Sequence, residues 1–364
     1  MKITILGLSQ VGKTTIFNAV TKGNIKVTGY SNKVNIGVAK VPDYRLDNLT
    51  DLYNPKRTVQ AEITYSDLPF LSDGLGKSEK IEGEHLNLLQ QSDVLILVAR
   101  AFSDLSIPHF GDQIDPYHEI NTLLYELIFA DLEILERRID KLNSENKSVK
   151  KNERDQLDYE LEVLSTFKNL LEDGIPGRDH NFSDKEMKLL SRFQFVSFKP
   201  LIIVVNIDED QLHNISDWEN KLTQSFSSDY IRTTVLCGKL EMELAQMTND
   251  EQNLFRDSLG IQRESGLDQM VRLSYNALNL ISFMTVGKDE VRAWPIPKGY
   301  VALKAAGKIH SDLERGFIRA EVVTYKDLID TGSLAESRKK GLLRQEGKDY
   351  LVNDGDIMHV LFNV

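Results

Sequence analysis

The stretch Gly7–Thr14 constrains this chain most, because its fixed positions match the pattern G-x-x-x-x-G-K-[ST]. The pattern is typical of loops that hold nucleoside triphosphates: glycines let backbone N–H groups turn toward phosphate oxygens, Lys13 supplies a positive charge and Thr14 offers a hydroxyl to Mg²⁺. The flanking residues Lys2–Leu6 and Thr15–Val20 predict a buried strand and a helix whose N-terminal end would face the anion. The alternative interpretation is an ordinary glycine-rich turn.

The motif predicts contacts along the whole loop and a metal ion beside it. We expect nucleotide contacts from Gly7, Ser9, Gln10, Val11, Gly12, Lys13, Thr14 and Thr15. Residues 61–67 alternate like a strand and end in Asp67. In phosphate-loop proteins an acid at the end of the neighbouring strand supports the metal. The sequence therefore predicts a Mg²⁺ site with Thr14 as a direct ligand and Asp67 acting through a water molecule.

Continuous apolar runs predict the central strands of a parallel sheet. Residues 93–99 and 201–205 are almost entirely apolar, as expected of strands that are buried on both faces. Strands that alternate with helices predict a doubly wound α/β sheet, in which ligands bind at the carboxyl ends of the strands. The phosphate loop and Asp67 both lie at such ends.

A helical pattern separates these two apolar runs. From residue 119 to residue 171, large apolar side chains recur at steps of three or four residues around a polar middle, which predicts an inserted helical hairpin. The hairpin tip is interpreted first as a solvated loop and second as an RNA contact. The basic residues that raise the second possibility are Lys147, Lys150, Lys151 and Arg154.

Strand patterns after residue 279, including Tyr350–Val352, predict a small C-terminal α+β module. Its charges nearly balance, whereas the rest of the chain is acidic, so a surface that faces RNA is compatible with the composition. The predicted domains are a nucleotide-binding domain over residues 1–118 and 199–278, a helical insertion over residues 119–198, and the C-terminal module over residues 279–364.

Composition narrows the class of protein. The chain has 364 residues, of which 41% are hydrophobic, and a formal net charge of −11; it is expected to form packed cores and not to be coated with nucleic acid, and no DNA partner is predicted. No apolar run reaches the length of a membrane span, and the lone cysteine, Cys237, cannot form an internal disulfide. The histidines lack the spacing of a zinc site. A cytoplasmic monomer that does not bind membranes is the expectation.

Motifs spread over the whole chain carry a family resemblance. Besides the phosphate loop, they are Asn35–Gly37, Val41–Asp43, Arg100–Phe102, Asn206–Glu209, Glu290–Trp294, Gly316–Val322, Glu346–Tyr350 and Phe362–Val364. Together these segments resemble the YchF or Obg-like ATPase subfamily of the translation-factor P-loop proteins. The resemblance implies a P-loop NTPase with a doubly wound, mostly parallel sheet, an inserted α-helical coiled-coil hairpin, and a C-terminal TGS domain of β-grasp type. It also implies association with the ribosome or its RNA, and slow hydrolysis that prefers ATP to GTP.

The segment Asn206–Glu209 gives the ATP preference a physical reason. Guanine readers carry N-K-x-D here, where the aspartate accepts two hydrogen bonds from guanine and the lysine packs on its ring. In this chain Ile207 replaces the lysine and Glu209 replaces the aspartate, which weakens the selection of guanine. Asn206 is still expected to reach the base, and Ile207 and Glu209 are expected to lie beside it as further nucleotide contacts. The resemblance implies that the loop Cys237, Gly238 and Lys239 helps to surround it.

The resemblance assigns catalysis to His109, together with the phosphate-binding Lys13. The family uses a histidine at the matching place to activate water, and an imidazole that titrates near neutral pH suits that task. The alternative is a histidine on a surface loop. Where the family reads D-x-A-G, this chain has Phe70 in place of the glycine, followed by Leu71. A side chain there restricts the backbone turn that senses the γ-phosphate.

Two functional hypotheses follow from these residues. In the first, the chain is a slow ATPase whose loops signal which nucleotide is bound. In the second, it is an adaptor that binds nucleotide, RNA or the ribosome without hydrolysis. The intact Gly12-Lys13-Thr14 favours the first, whereas Phe70 and the shortened segment around residues 30–34 favour the second.

Overall fold

The computed structural model describes residues 1–23, 34–69, 83–104, 113–145, 151–258 and 265–363. Its strands are β1 (Lys2–Gly7), β2 (Asn35–Lys40), β3 (Arg57–Val59), β4 (Glu62–Asp67), β5 (Val94–Arg100), β6 (Leu201–Asn206), β7 (Ile231–Leu236), β8 (Leu280–Thr285), β9 (Glu290–Pro297), β10 (Phe317–Thr324), β11 (Arg344–Glu346) and β12 (Asp356–Phe362). Its α-helices are α1 (Lys13–Thr21), α2 (Tyr44–Tyr53), α3 (Gly83–Gln91), α4 (Pro116–Glu145), α5 (Lys151–Glu172), α6 (Asp184–Leu190), α7 (Ile215–Ser225), α8 (Gly238–Leu244), α9 (Asn249–Ser258), α10 (Gly266–Ala277), α11 (Ala302–Ile309), α12 (Ser311–Arg315), α13 (Tyr325–Thr331) and α14 (Leu334–Lys339). Among the described residues, no helix is both long enough and apolar enough to span a membrane.

The first compact unit, residues 1–39 and 64–273, contains the predicted doubly wound sheet. Its strand order is β2-β4-β1-β5-β6-β7, and β4, β1, β5, β6 and β7 pair in parallel. Strands β5 and β6 are buried at every position, which explains their continuous apolar sequences. The carboxyl ends of β1, β4, β5, β6 and β7 therefore meet at one edge of the sheet, as predicted.

The predicted helical hairpin is present in this unit as α4 and α5. Helix α4 begins at Pro116, three residues before the predicted start, because the Asp115 carboxylate accepts hydrogen bonds from the N–H groups of Tyr117 and His118, both at 3.0 Å. The two helices share an apolar core that includes Leu135, Leu142, Leu164 and Phe167. This core reproduces the spacing of large apolar residues in the sequence.

A buried carboxylate fastens α4 to the chain that leads into β6. Asp131 is fully buried and accepts hydrogen bonds from the N–H groups of Val196, at 2.9 Å, and Ser197, at 2.8 Å. Burial raises the pKa of Asp131 to about 6, although these hydrogen bonds and the nearby Arg178 oppose the shift. The folded chain therefore keeps a proton on Asp131 at pH values where the unfolded chain has lost it.

We expect the Asp131→Asn variant to remove one component of the pH dependence of stability. The pKa of Asp131 in the folded state lies above the ordinary value of 3.8, so the folded state binds more protons than the unfolded state between pH 4 and 6. The contribution of Asp131 to the free energy of unfolding therefore falls as the pH rises through that range, by about 2 to 3 kcal/mol. Denaturant unfolding at a series of pH values should show the wild type losing stability relative to the variant across this window. Asp140→Asn, an exposed aspartate on the same helix, is the control; parallel profiles for wild type and Asp131→Asn would contradict the account.

The second unit comprises residues 40–63 and 274–364. The sequence assigned residues 40–63 to the nucleotide-binding domain, but in the structure they belong here. Helix α2 places Leu46 and Leu49 in one core with Met284 and Val291, and β3 pairs in parallel with β9. The amphipathic pattern of α2 shows that the helix needs a partner surface, but it does not say which surface that is.

This unit is built on a mixed sheet with the order β11-β10-β12-β8-β9-β3. Tyr350–Val352 was predicted as a strand, and that prediction was wrong: Leu351 forms an isolated bridge with Val301 instead. The reason is a tight turn, in which the Asp356 carboxylate accepts hydrogen bonds from the Tyr350 hydroxyl and the Asn353 N–H group. Strand β8, which lies between β12 and β9, was not predicted.

Candidate nucleotide site

The phosphate loop joins the end of β1 to the start of α1. Two of its residues adopt the left-handed backbone conformation, Gln10 with φ 58° and Gly12 with φ 93°. Lys13 begins α1, and its side chain folds back so that Nζ donates hydrogen bonds to the carbonyl oxygens of Gly7, at 3.0 Å, and Leu8, at 2.8 Å. The ammonium group is thus held inside the loop by the loop's own backbone.

The electrostatics around Lys13 suit an anionic ligand. Its side chain is buried, and this burial lowers the pKa of the ammonium group to about 8, while the neighbouring carboxylates of Asp67 and Glu119 act in the opposite direction. A phosphate placed in the loop would add negative charge beside the ammonium group and favour its charged form. The loop therefore provides the positive charge that the sequence motif predicts.

Thr14 and Asp67 meet beside the loop, as predicted. The Thr14 hydroxyl donates a hydrogen bond to Asp67 Oδ2 at 2.8 Å, and the Asn35 side-chain amide donates to the same oxygen at 3.2 Å. Asp67 Oδ1 is buried and has no hydrogen-bond partner among the described residues. Mg²⁺ prefers hydroxyl, carboxylate and water oxygens. A hydroxyl next to an unsatisfied carboxylate oxygen therefore fits the predicted cation.

Asn206 ties the phosphate loop to the loop that follows β7. Its side-chain Nδ2 donates to the Val11 carbonyl at 3.0 Å, and its Oδ1 accepts from the Gly238 N–H group at 2.8 Å. A Cβ atom on Gly12 would lie 2.2 Å from Asn206 Nδ2, so the loop approaches Asn206 as closely as a glycine permits. Sequence reasoning predicted a contact between Asn206 and the base, whereas in the structure both polar atoms of its amide bond to the protein.

The other predicted base contacts lie around Asn206 but differ in exposure. Glu209 and Lys239 are exposed and form an ion pair at 3.4 Å. Ile207 is only 1% exposed, so its side chain packs inside the unit. Cys237 is also buried, and burial raises the pKa of its thiol, as expected of a structural cysteine that is not reactive.

Part of the predicted machinery lies outside the described residues. This applies to His109, to Phe70 and Leu71, and to Lys147 and Lys150 of the hairpin tip. The catalytic role of His109 and the RNA contact at the tip therefore stay predictions.

The structure adds residues to the site that sequence reasoning did not assign to it. The N–H group of Arg100, at the end of β5, donates to the buried Glu119 carboxylate at 2.8 Å, and burial raises the pKa of Glu119. The Arg100 guanidinium lies 4.5 Å above the Phe102 ring, and a Cβ on Gly12 would be 4.0 Å from that ring. An arginine that ends an apolar run and a glutamate in the first turn of α4 were the available signals. For Asn35, the only signal in the sequence was its place in a motif shared with the family.

Comparison with known proteins finds relatives that are similar to this chain over its full length. The domain-family model YchF-GTPase_C, described as a protein of unknown function (DUF933), matches residues 280–363. Proteins named "Ribosome-binding ATPase YchF" are similar throughout: the Bacillus subtilis protein is 40% identical over 99% of this chain and 98% of its own length. The Mycoplasma genitalium protein is 35% identical over the same shares.

A solved structure, that of the Schizosaccharomyces pombe YchF GTPase, superposes with a TM-score of 0.84 at 28% identity and covers 99% of this chain and 97% of the fission yeast chain. Three observations indicate the same family: the sequence motifs, the parallel sheet with its phosphate loop, and the matches over the full length. The chain belongs to the YchF family of P-loop proteins.

Proposed function

We propose that this chain is a slow P-loop ATPase that acts as a nucleotide-dependent switch on the ribosome. The observation that carries the proposal is the phosphate loop, in which Lys13 is held inside the backbone turn and Thr14 is bonded to Asp67. Relatives that match the whole chain are named ribosome-binding ATPases, and these names support both the nucleotide and the ribosome as partners. The proposal places the protein in the cytoplasm as a monomer.

The residues of the site have distinct proposed roles. The backbone from Gly7 to Thr15 and the Lys13 ammonium group bind the phosphates, as in other proteins with this loop. Thr14 and, through water, Asp67 hold Mg²⁺, which when bound neutralises negative charge on the phosphates. Asn206 keeps the phosphate loop and the Gly238 loop in register, so that the phosphates and the base are bound at a fixed separation.

Base selection favours ATP in this proposal. The exposed carboxylate of Glu209 is paired with Lys239, and Ile207 is buried and offers no cation to the face of the base. The aspartate that would accept two hydrogen bonds from guanine is therefore replaced by a longer carboxylate that already has a partner. His109 is proposed to orient the attacking water.

Hydrolysis assays combined with ribosome co-sedimentation test this function. We expect the wild type to hydrolyse ATP slowly, faster than GTP, and to co-sediment with ribosomes differently in ATP and ADP. The Lys13→Ala variant is expected to lose hydrolysis, and His109→Ala is expected to lose it while still binding nucleotide. Nucleotide binding without hydrolysis in the wild type would instead support the adaptor hypothesis. A hydrolysis rate that is unchanged by both substitutions would contradict the proposed site.

A further inference from the structure

The Asp67 carboxylate has an uneven set of contacts. Its Oδ2 atom accepts two hydrogen bonds, from the Thr14 hydroxyl and the Asn35 amide, while its Oδ1 atom is buried and accepts none from the described residues. We propose that Asn35 is a positioning residue, which fixes the orientation of Asp67 so that Oδ1 is presented to the hydrated Mg²⁺ of the nucleotide complex. This inference rests on the proposed function, because it requires nucleotide to bind with a divalent cation.

Two donors on Oδ2 determine which oxygen is left for the cation. A carboxylate that is held by one hydrogen bond can rotate about its Cβ–Cγ bond and exchange its oxygens. Thr14 lies on α1 and Asn35 on β2, so the two donors reach Oδ2 from different elements and together oppose this rotation. The remaining oxygen is buried and receives no hydrogen bond from the part of the chain that the structure describes, which is costly for a carboxylate unless a cation or its water shell satisfies it.

The local sequence explains how Asn35 comes within reach. Strand β2 is one of the two edge strands of the described sheet and lies close to α1: a Cβ on Gly37 would be 2.6 Å from Thr21 Cγ2 and 3.0 Å from Phe17 Cζ. Side chains alternate along a strand, so Asn35 points to the same face as Gly37, while Ile36 points the other way and is exposed. Glycine at position 37 thus lets β2 approach α1. This approach brings the Asn35 amide within hydrogen-bond distance of Asp67, beside the predicted Mg²⁺ site.

The chemistry of an asparagine suits this role. Its amide donates a hydrogen bond to Asp67 without adding charge, so it orients the carboxylate and leaves the negative charge available to the cation. An aspartate at position 35 would place a second carboxylate about 3 Å from the first, and one of the two would tend to keep a proton. Groups that hydrogen-bond to the direct ligands of a metal commonly contribute tenfold or more to its affinity, and we expect an effect of about tenfold from Asn35, which acts on the cation through Asp67 and its water.

The test measures how strongly nucleotide affinity depends on Mg²⁺. The affinity for a fluorescent, non-hydrolysable ATP analogue is determined from excess EDTA to excess Mg²⁺ in the wild type, Asn35→Ala and Asn35→Leu. Leucine has nearly the shape of asparagine but no donor. We expect the Mg²⁺ concentration for half-maximal enhancement to rise about tenfold in both variants, with the affinity in EDTA unchanged within about twofold.

The matched control is Asn48→Leu, which also removes a side-chain amide donor, in this case to the Tyr325 hydroxyl at 2.6 Å in the second unit. Circular dichroism checks that all variants are folded. A Mg²⁺ dependence equal to that of the wild type would overturn the role of Asn35 and leave the proposed function standing. An equal loss of affinity in EDTA and in Mg²⁺ would also overturn it, since this would indicate a general structural effect. A wild type that binds no nucleotide would overturn both proposals.

Discussion

Replacing Lys13 with alanine is expected to weaken the binding of the Mg²⁺ complex of ATP by about 100-fold or more, since each hydrogen bond to a charged group contributes about 1.5 to 3 kcal/mol. The reason is specific to this loop. The Lys13 ammonium group is buried and donates hydrogen bonds to the Gly7 and Leu8 carbonyls. Its loss therefore removes the positive charge and the two hydrogen bonds that hold the loop. Fluorescence titration with an ATP analogue in excess Mg²⁺ measures the effect.

Two further variants make this result interpretable. Lys304→Ala removes an exposed lysine that pairs with Glu314 in the second unit, and its nucleotide affinity should equal that of the wild type. Lys13→Arg keeps the charge but puts a larger, planar group in the same buried space, so it should not restore binding. Unchanged affinity in Lys13→Ala would mean that the phosphates are bound somewhere other than this loop.

Replacing Gly12 with alanine is expected to disrupt the site almost as severely. The new Cβ would lie 2.2 Å from Asn206 Nδ2, and Asn206 can move away only by giving up its bonds to the Val11 carbonyl and the Gly238 N–H group. Leaving these buried groups without partners costs about 1 to 3 kcal/mol each, in addition to about 1 to 2 kcal/mol for alanine in a left-handed conformation. Nucleotide affinity and the hydrogen exchange rate of the Gly238 amide report the loss.

Gly174→Ala separates the two costs. Gly174 also has a positive φ, 78°, and belongs to the same unit, but a Cβ there would meet nothing within 4 Å. This variant should show the cost of the backbone conformation alone, with normal nucleotide affinity and normal protection of Gly238. If Gly12→Ala behaves like Gly174→Ala in both measurements, the close packing of the loop on Asn206 is not important.

The sequence predicted those parts of the fold that depend on local patterns. Continuous apolar runs identified β5 and β6 because parallel strands are buried on both faces. The spacing of leucines identified α4 and α5 because each helix buries one apolar face in a shared core. The placement of α2 and β3 in the second unit depends on which distant surface they pack against. Neither periodicity nor composition contains that information.

The same distinction applies to the candidate site. Lys13, Thr14 and Asp67 follow from a motif with fixed spacing and from the end of a neighbouring strand, and the structure brings the three together. The bonds of Asn206 and Asn35 connect residues far apart in the chain, so they became apparent only in three dimensions. Sequence reasoning also treated Ile207 as a base contact because of its place in a motif, but its position directly after β6 buries its side chain.

Titration calorimetry of the wild-type protein with non-hydrolysable analogues of ATP and GTP, in excess Mg²⁺ and again in EDTA, tests the central claim most directly. The account predicts one binding site per chain, tighter binding of the ATP analogue than of the GTP analogue, and a clear gain in affinity from Mg²⁺. Absence of binding by either analogue would contradict it. The intact phosphate loop would then be a structural feature, and the function would have to lie elsewhere on the two units.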